Sequence, residues 1–132
     1  AAIAGDTLDL SFSGLKTAVI NYLNTASQRG DKVVRENVAA ALTRSVTSSL
    51  VCRVGEAVRR TGRETVVLAG GVAANSHLRA ELSEYCENHG LRLCMAPRHL
   101  CGDNAAMVGA QAYYEYLAGN RADLTLAARA TE

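Results

Sequence analysis

The chain has 132 residues, 48% of them hydrophobic and 20% charged, with a formal net charge of +1. These proportions place it in the soluble globular class, with one domain and a small core. They exclude capture of an anionic partner by an overall field, which must come from a local patch instead.

Residues 1–5 read as mid-protein sequence, so a fragment of a larger protein is expected. Nothing there resembles a secretory signal, no apolar run approaches a membrane span, and no membrane partner is expected. Leu8, Leu10 and Phe12 alternate with Asp9, Ser11 and Ser13, which predicts a half-buried strand. Ser13 is placed to cap a helix over 14–23 with Leu15, Val19 and Leu23 on one face. Residues 24–30 are polar and read as a loop. Asp31 then caps the longest helix, which glycine ends at Thr61-Gly62. Its stripe Val38, Leu42, Val46, Leu50, Val54, Val58 is an i+4 ridge that suits packing across a sheet or helix.

Residues 65–69 form a β-branched apolar run, read as a buried strand, and lead into Gly70-Gly71-Val72-Ala73-Ala74-Asn75. The paired glycines remove side chains where a ligand can approach the backbone. Asn75 or Ser76 opens a helix to about His89 with Leu78, Leu82 and Tyr85 inward, and Gly90 ends it. The unpaired N–H groups at such a helix start attract an anion. Residues 91–95 are a short strand, and Pro97 begins a loop carrying Arg98-His99-Leu100-Cys101-Gly102-Asp103-Asn104. The last helix, 104–117, is apolar nearly all round and is expected to be buried, with a tail from Gly119 on. The order strand, helix, long helix, strand, helix, strand, helix is α/β, with the sheet covered by helices.

Two loops thus follow strands and open helices, the edge at which open α/β sheets bind ligands. The first supplies backbone donors and the amide of Asn75; the second supplies the carboxylate of Asp103. Both residues also serve as plain helix N-caps. Two caps on neighbouring strand ends are less expected by coincidence than one nucleotide site. The four cysteines, Cys52, Cys86, Cys94 and Cys101, are irregularly spaced and read as reduced, mostly packed thiols. Cys94, His99 and Cys101 lack the paired C-x-x-C spacing of a structural zinc site.

Asp9-Leu10-Ser11-Phe12-Ser13-Gly14-Leu15-Lys16-Thr17, the run Leu68-Ala69-Gly70-Gly71-Val72-Ala73-Ala74-Asn75-Ser76 continuing to Leu78 and Arg79, and Cys101-Gly102-Asp103-Asn104-Ala105-Ala106-Met107 together carry a resemblance. They resemble, in order, the carboxyl-terminal part of the bacterial tRNA threonylcarbamoyltransferases, a family long labelled O-sialoglycoprotein endopeptidase. The resemblance implies half of an actin-like fold, the type of sugar kinases and heat-shock ATPases, with two lobes around a nucleotide cleft. It implies transfer of a threonylcarbamoyl group from threonylcarbamoyl-AMP to N6 of the adenosine beside the anticodon, in the cytoplasm. It implies a nucleotide contact at Asn75, close approach at Gly70 and Gly71, and a divalent metal, iron or zinc, on Asp103. Its expected partners are tRNA, a small paralogous protein and an ATPase; separately, a fragment would expose a face normally packed on the first half, so association with a second copy of the chain is expected.

The family's other metal ligands are an H-x-x-x-H pair, and His77, His89 and His99 have no such spacing, so the chain alone is expected to be inactive. No H-E-x-x-H supports the older protease label. His99 fits an exposed loop position or a place behind Asp103. Where the family has threonine this chain has Gly102, which loosens the loop. Arg53, Arg59, Arg60 and Arg63 cluster at the end of the long helix, as phosphate contacts or as a response to the helix dipole. A sugar- or acetate-kinase domain shares the strand–Gly-Gly–helix element, and a partner-binding module would need neither Asn75 nor Asp103. The three motifs in order favour the transferase.

Overall fold

The computed structural model describes residues 7–127; the sequence readings at 1–5 and at the end of the tail lie outside them. The predicted first strand does not form, and only an isolated β-bridge at Leu10 remains of it. Local bonds compete there: Thr7 Oγ1 donates to Asp9 Oδ2 at 2.6 Å, and the Asp9 amide donates back to Thr7 Oγ1 at 3.1 Å. Arg53 Nη1 on the long helix holds the Thr7 carbonyl at 2.8 Å.

Helix α1 (Ser13–Arg29) begins with Phe12 as its cap rather than Ser13, and runs through the predicted loop at 24–30. That stretch is polar but holds no breaker before Gly30. Gly30 adopts φ 72° and closes the helix: its amide donates to Ser27 O, and the Asp31 amide donates to Ala26 O. Asp31 therefore finishes α1 instead of capping the next helix. Helix α2 (Arg35–Thr61) starts from an extended Val34 and stops, as predicted, at Gly62 with φ 64°.

Strands β1 (Thr65–Leu68) and β2 (Arg92–Met95) pair in parallel, with Thr65 opposite Arg92 and Leu68 opposite Met95. Parallel strands need a crossover. Here it is a 3₁₀ turn (Gly71–Ala74) followed by helix α3 (Ser76–Asn88). A second 3₁₀ turn (Arg98–Leu100) leads to helix α4 (Ala105–Leu117). The described residues form an α/β arrangement of helices and one small parallel sheet.

The core centres on α3, whose Leu78, Leu82 and Cys86 are buried together with Ala73 and Cys101. The α2 ridge is half-buried throughout, and the fully covered α2 residue is Thr47, one position along from Val46. Thr47 Oγ1 donates to Glu81 Oε1 at 2.7 Å and so joins α2 to α3. Gly55 leaves room for Tyr85, whose hydroxyl would lie 2.7 Å from a Cβ there. Tyr85 stacks on His89 with ring centroids 4.1 Å apart.

Two burial expectations are corrected. The sheet is not covered on both faces: β1 alternates, with Val66 and Leu68 half-buried while Val67 is 71% exposed. Helix α4 is not buried either; Met107, Val108, Tyr113, Tyr114, Tyr116 and Leu117 are all exposed. Apolar composition states what a helix would bury, and burial also needs a facing element. No helix is long and apolar enough to cross a membrane among the described residues.

Candidate functional site

Because β1 and β2 are parallel neighbours, the loops leaving their carboxyl ends emerge side by side. They line one open cleft of about 610 Å³, with Gly70 and Gly71 on one wall and Gly102, Asp103 and Asn104 on the other. Ala69, Ala96, Leu100 and Met107 supply apolar lining. The cleft thus has an apolar body with one carboxylate, the general character of a small-ligand site.

The two glycines differ. Gly70 adopts φ 87° and ψ 172°, a region nearly closed to other residues. Gly71 has an ordinary φ, and a Cβ there would meet nothing within 4 Å. Gly70 is demanded by the backbone, whereas Gly71 keeps the wall of the cleft bare.

Asn75 does not line the cleft. Its Oδ1 caps α3, accepting from the amides of His77 at 2.9 Å and Leu78 at 3.1 Å. Two donors of the expected anion site are therefore already committed. The side-chain Nδ2 of Asn75, a donor, has no acceptor among the described residues.

Asp103 is exposed, and its carboxylate has no hydrogen-bond or ion-pair partner among the described residues. It is not the cap of α4. That role belongs to Asn104, whose Oδ1 accepts from the Met107 amide at 2.9 Å while Nδ2 donates to Gly102 O at 3.0 Å. The loop is shaped by Asn104, so Asp103 is left exposed at the cleft without a structural task. Gly102 has an ordinary φ and nothing near a would-be Cβ, so a threonine would fit.

A hard oxygen donor such as Asp103 suits a divalent ion. Among the described residues, however, no three His, Cys, Asp or Glu side chains converge on one point. The donor set does not amount to a metal site, and His99 stands exposed in its 3₁₀ turn. All four cysteines are free thiols; Cys86 and Cys101 are buried, Cys94 is half-buried and Cys52 exposed. Burial pushes the Cys86 thiol up from its ordinary pKa.

One residue to which sequence reading gave no role is Arg79, which stands there only as the end of the motif run 68–79. It lies near the start of α3, where a cation opposes the helix dipole, and that placement was the available signal. Its Nη1 donates to Ala73 O at 2.9 Å and lies 3.9 Å from Cys101 Sγ.

Residues 1–110 match the family model described as tRNA N6-adenosine threonylcarbamoyltransferase. A relative of that name from Moorella thermoacetica is 50% identical over 121 residues, 92% of this chain and 35% of the relative. Those from Clostridium botulinum (strain 657 / Type Ba4) and Staphylococcus carnosus are 45% and 43% identical, again across 92% of this chain. The chain spans about 36% of the length of such curated relatives.

Proposed function

The chain belongs to the tRNA N6-adenosine threonylcarbamoyltransferase family, and from that membership we propose that it is the nucleotide-binding part of an enzyme that forms threonylcarbamoyl-adenosine in tRNA. Its fold in this reading is one lobe of an actin-like, two-lobed enzyme working in the cytoplasm, and the described residues form a single α/β domain of it. The adenosine N6 attacks the carbamoyl carbon of threonylcarbamoyl-AMP. A C–N bond forms, the bond from that carbon to the phosphate oxygen breaks, AMP leaves, and the N6 proton passes to solvent.

Each named residue has a task in this reading. Gly70 sets the turn at the end of β1, and the bare Gly71 lets the nucleotide lie against the backbone. Asn75 holds the helix start through Oδ1 and offers Nδ2 to the adenosine part. Asp103 contributes one carboxylate to an iron or zinc ion whose other ligands lie outside the described residues. The other partners proposed are tRNA, a small paralogous protein and an ATPase.

The observation that carries the proposal is the shared cleft, in which the glycine turn and an unpartnered Asp103 come from adjacent parallel strands. The test pairs this chain with the remaining amino-terminal part of a curated relative in cells depleted of the modified nucleoside. The other pathway components are supplied, and modified tRNA is measured by nucleoside mass spectrometry. Restoration that is abolished by Asp103→Ala supports the transferase reading. A soluble, assembled pair that restores nothing sinks it.

A further inference from the structure

We propose that Arg79 is a positioning residue that holds the glycine turn and the Asp103 loop at one fixed separation. The inference rests on reading these loops as a single nucleotide site, because their spacing matters only to a ligand that touches both.

The β-ladder does not set this spacing by itself. Its last matched pair is Leu68 and Met95, and the following bond, from the Ala96 amide to Leu68 O, is already stretched to 3.5 Å. Beyond that point the two chains leave as separate 3₁₀ turns. Arg79 rises from α3 between them. One guanidinium nitrogen, Nη1, donates to Ala73 O at 2.9 Å in the first turn and reaches Cys101 Sγ at 3.9 Å in the second.

Both contact points are anchored. Ala73 is 0% exposed and Cys101 is 5% exposed. The Cys101 thiol itself donates to Pro97 O at 3.4 Å, which closes the second turn around it. Ala73 follows Gly71 by two residues, and Cys101 precedes Asp103 by two. A shift of the guanidinium therefore moves the bare wall of the cleft and the carboxylate wall together. A charged donor is suited to this task, since its hydrogen bonds are stronger than those of a neutral group.

Hydrogen–deuterium exchange of the 132-residue chain, with AMP as the nucleotide probe, tests the inference. Arg79→Met keeps the packing of the stem and removes the donor. It is expected to speed exchange about tenfold at residues 71–75 and 101–104 while amides of Leu82 and Cys86 stay protected, and to weaken AMP binding about tenfold. Arg79→Lys, which retains a cationic donor, gives intermediate values, and Cys101→Ala loosens the Asp103 loop alone. Unchanged exchange at either loop overturns the proposal, as does an equal rise throughout α3, which marks a general packing role. Should Arg79→Met fail to fold, Arg79→Lys and Cys101→Ala decide the matter by the same loop-selective pattern. Absence of AMP protection in the unsubstituted chain would instead reject the nucleotide reading, and the clamp is then judged on the ligand-free exchange.

Discussion

At the scale of single residues, adjacent and chemically identical glycines carry different duties. Gly70 sits at φ 87° and ψ 172°, so a side chain there strains the backbone whatever the space around it. Gly70→Ala is expected to cost about 1–3 kcal/mol of stability, read as a lowered midpoint in chemical denaturation. Gly71 has no such demand, and Gly71→Ala should stay within about 0.5 kcal/mol of the unsubstituted chain. Its effect belongs to binding: the added methyl group narrows the approach to the wall, so AMP affinity falls although the fold persists. Equal destabilisation by both substitutions would contradict this division. The sequence marked both glycines as special, but not which was required by torsion angle and which by open space. Asn75 and Asp103 were each legible as possible caps; the structure separates them, because Asn75 caps α3 while Asn104 takes the cap of α4.

At the scale of elements, the basic end of α2 shows how far a charge cluster can be read from composition. Arg59 and Arg60 reach Glu56 at 2.5 and 2.6 Å, one turn back on the same helix, and Arg53 bonds the Thr7 carbonyl. Three of the four clustered arginines therefore have local work, whatever they add to a phosphate surface. Hydrogen bonds from Arg59, then Arg60, lower the Glu56 carboxyl from its ordinary 4.5 to about 2. A depressed carboxylate stabilises the fold above its unfolded pKa. The stabilisation is thus complete above about pH 4.5 and is lost as pH falls through about 2. Carbon-detected NMR titration of Glu56 should show a midpoint near 2, and a midpoint near 4.5 would mean the pairs do not persist in solution. The effect on stability is small because the pairs face water. Element boundaries followed the same logic of local against distant causes. The glycine stop at Gly62 held, whereas the polar run read as a loop at 24–30 stayed helical up to Gly30, because polarity alone does not break a helix.

At the scale of the whole molecule, the chain presents 10282 Å² of accessible surface for 13.9 kDa, whereas a compact monomer of that mass exposes about 6,700 Å². Apolar side chains form part of that surface among the described residues: Val67 on the sheet and the side chains of α4, with Met107 at 52% and Val108 at 62% exposed. A surface of this kind promotes association. The isolated chain is expected to form oligomers as concentration rises, and Met107→Glu with Val108→Glu should reduce them. Light scattering showing a strict monomer at high concentration would refute this. The α/β class, the two paired strands, Leu78 and Leu82 as core positions of α3 and the family were legible in the sequence, because each is written in local patterns of period, glycine and motif; Cys86, not the half-buried Tyr85, completes that α3 core. The sequence also named the two loops that meet. The reduction of the first strand to a bridge, the uncovered face of α4 and the reach of Arg79 to both loops emerged from the folded arrangement. Those outcomes depend on which partner surface is present within reach, and periodicity along a chain carries no information about what lies across from it.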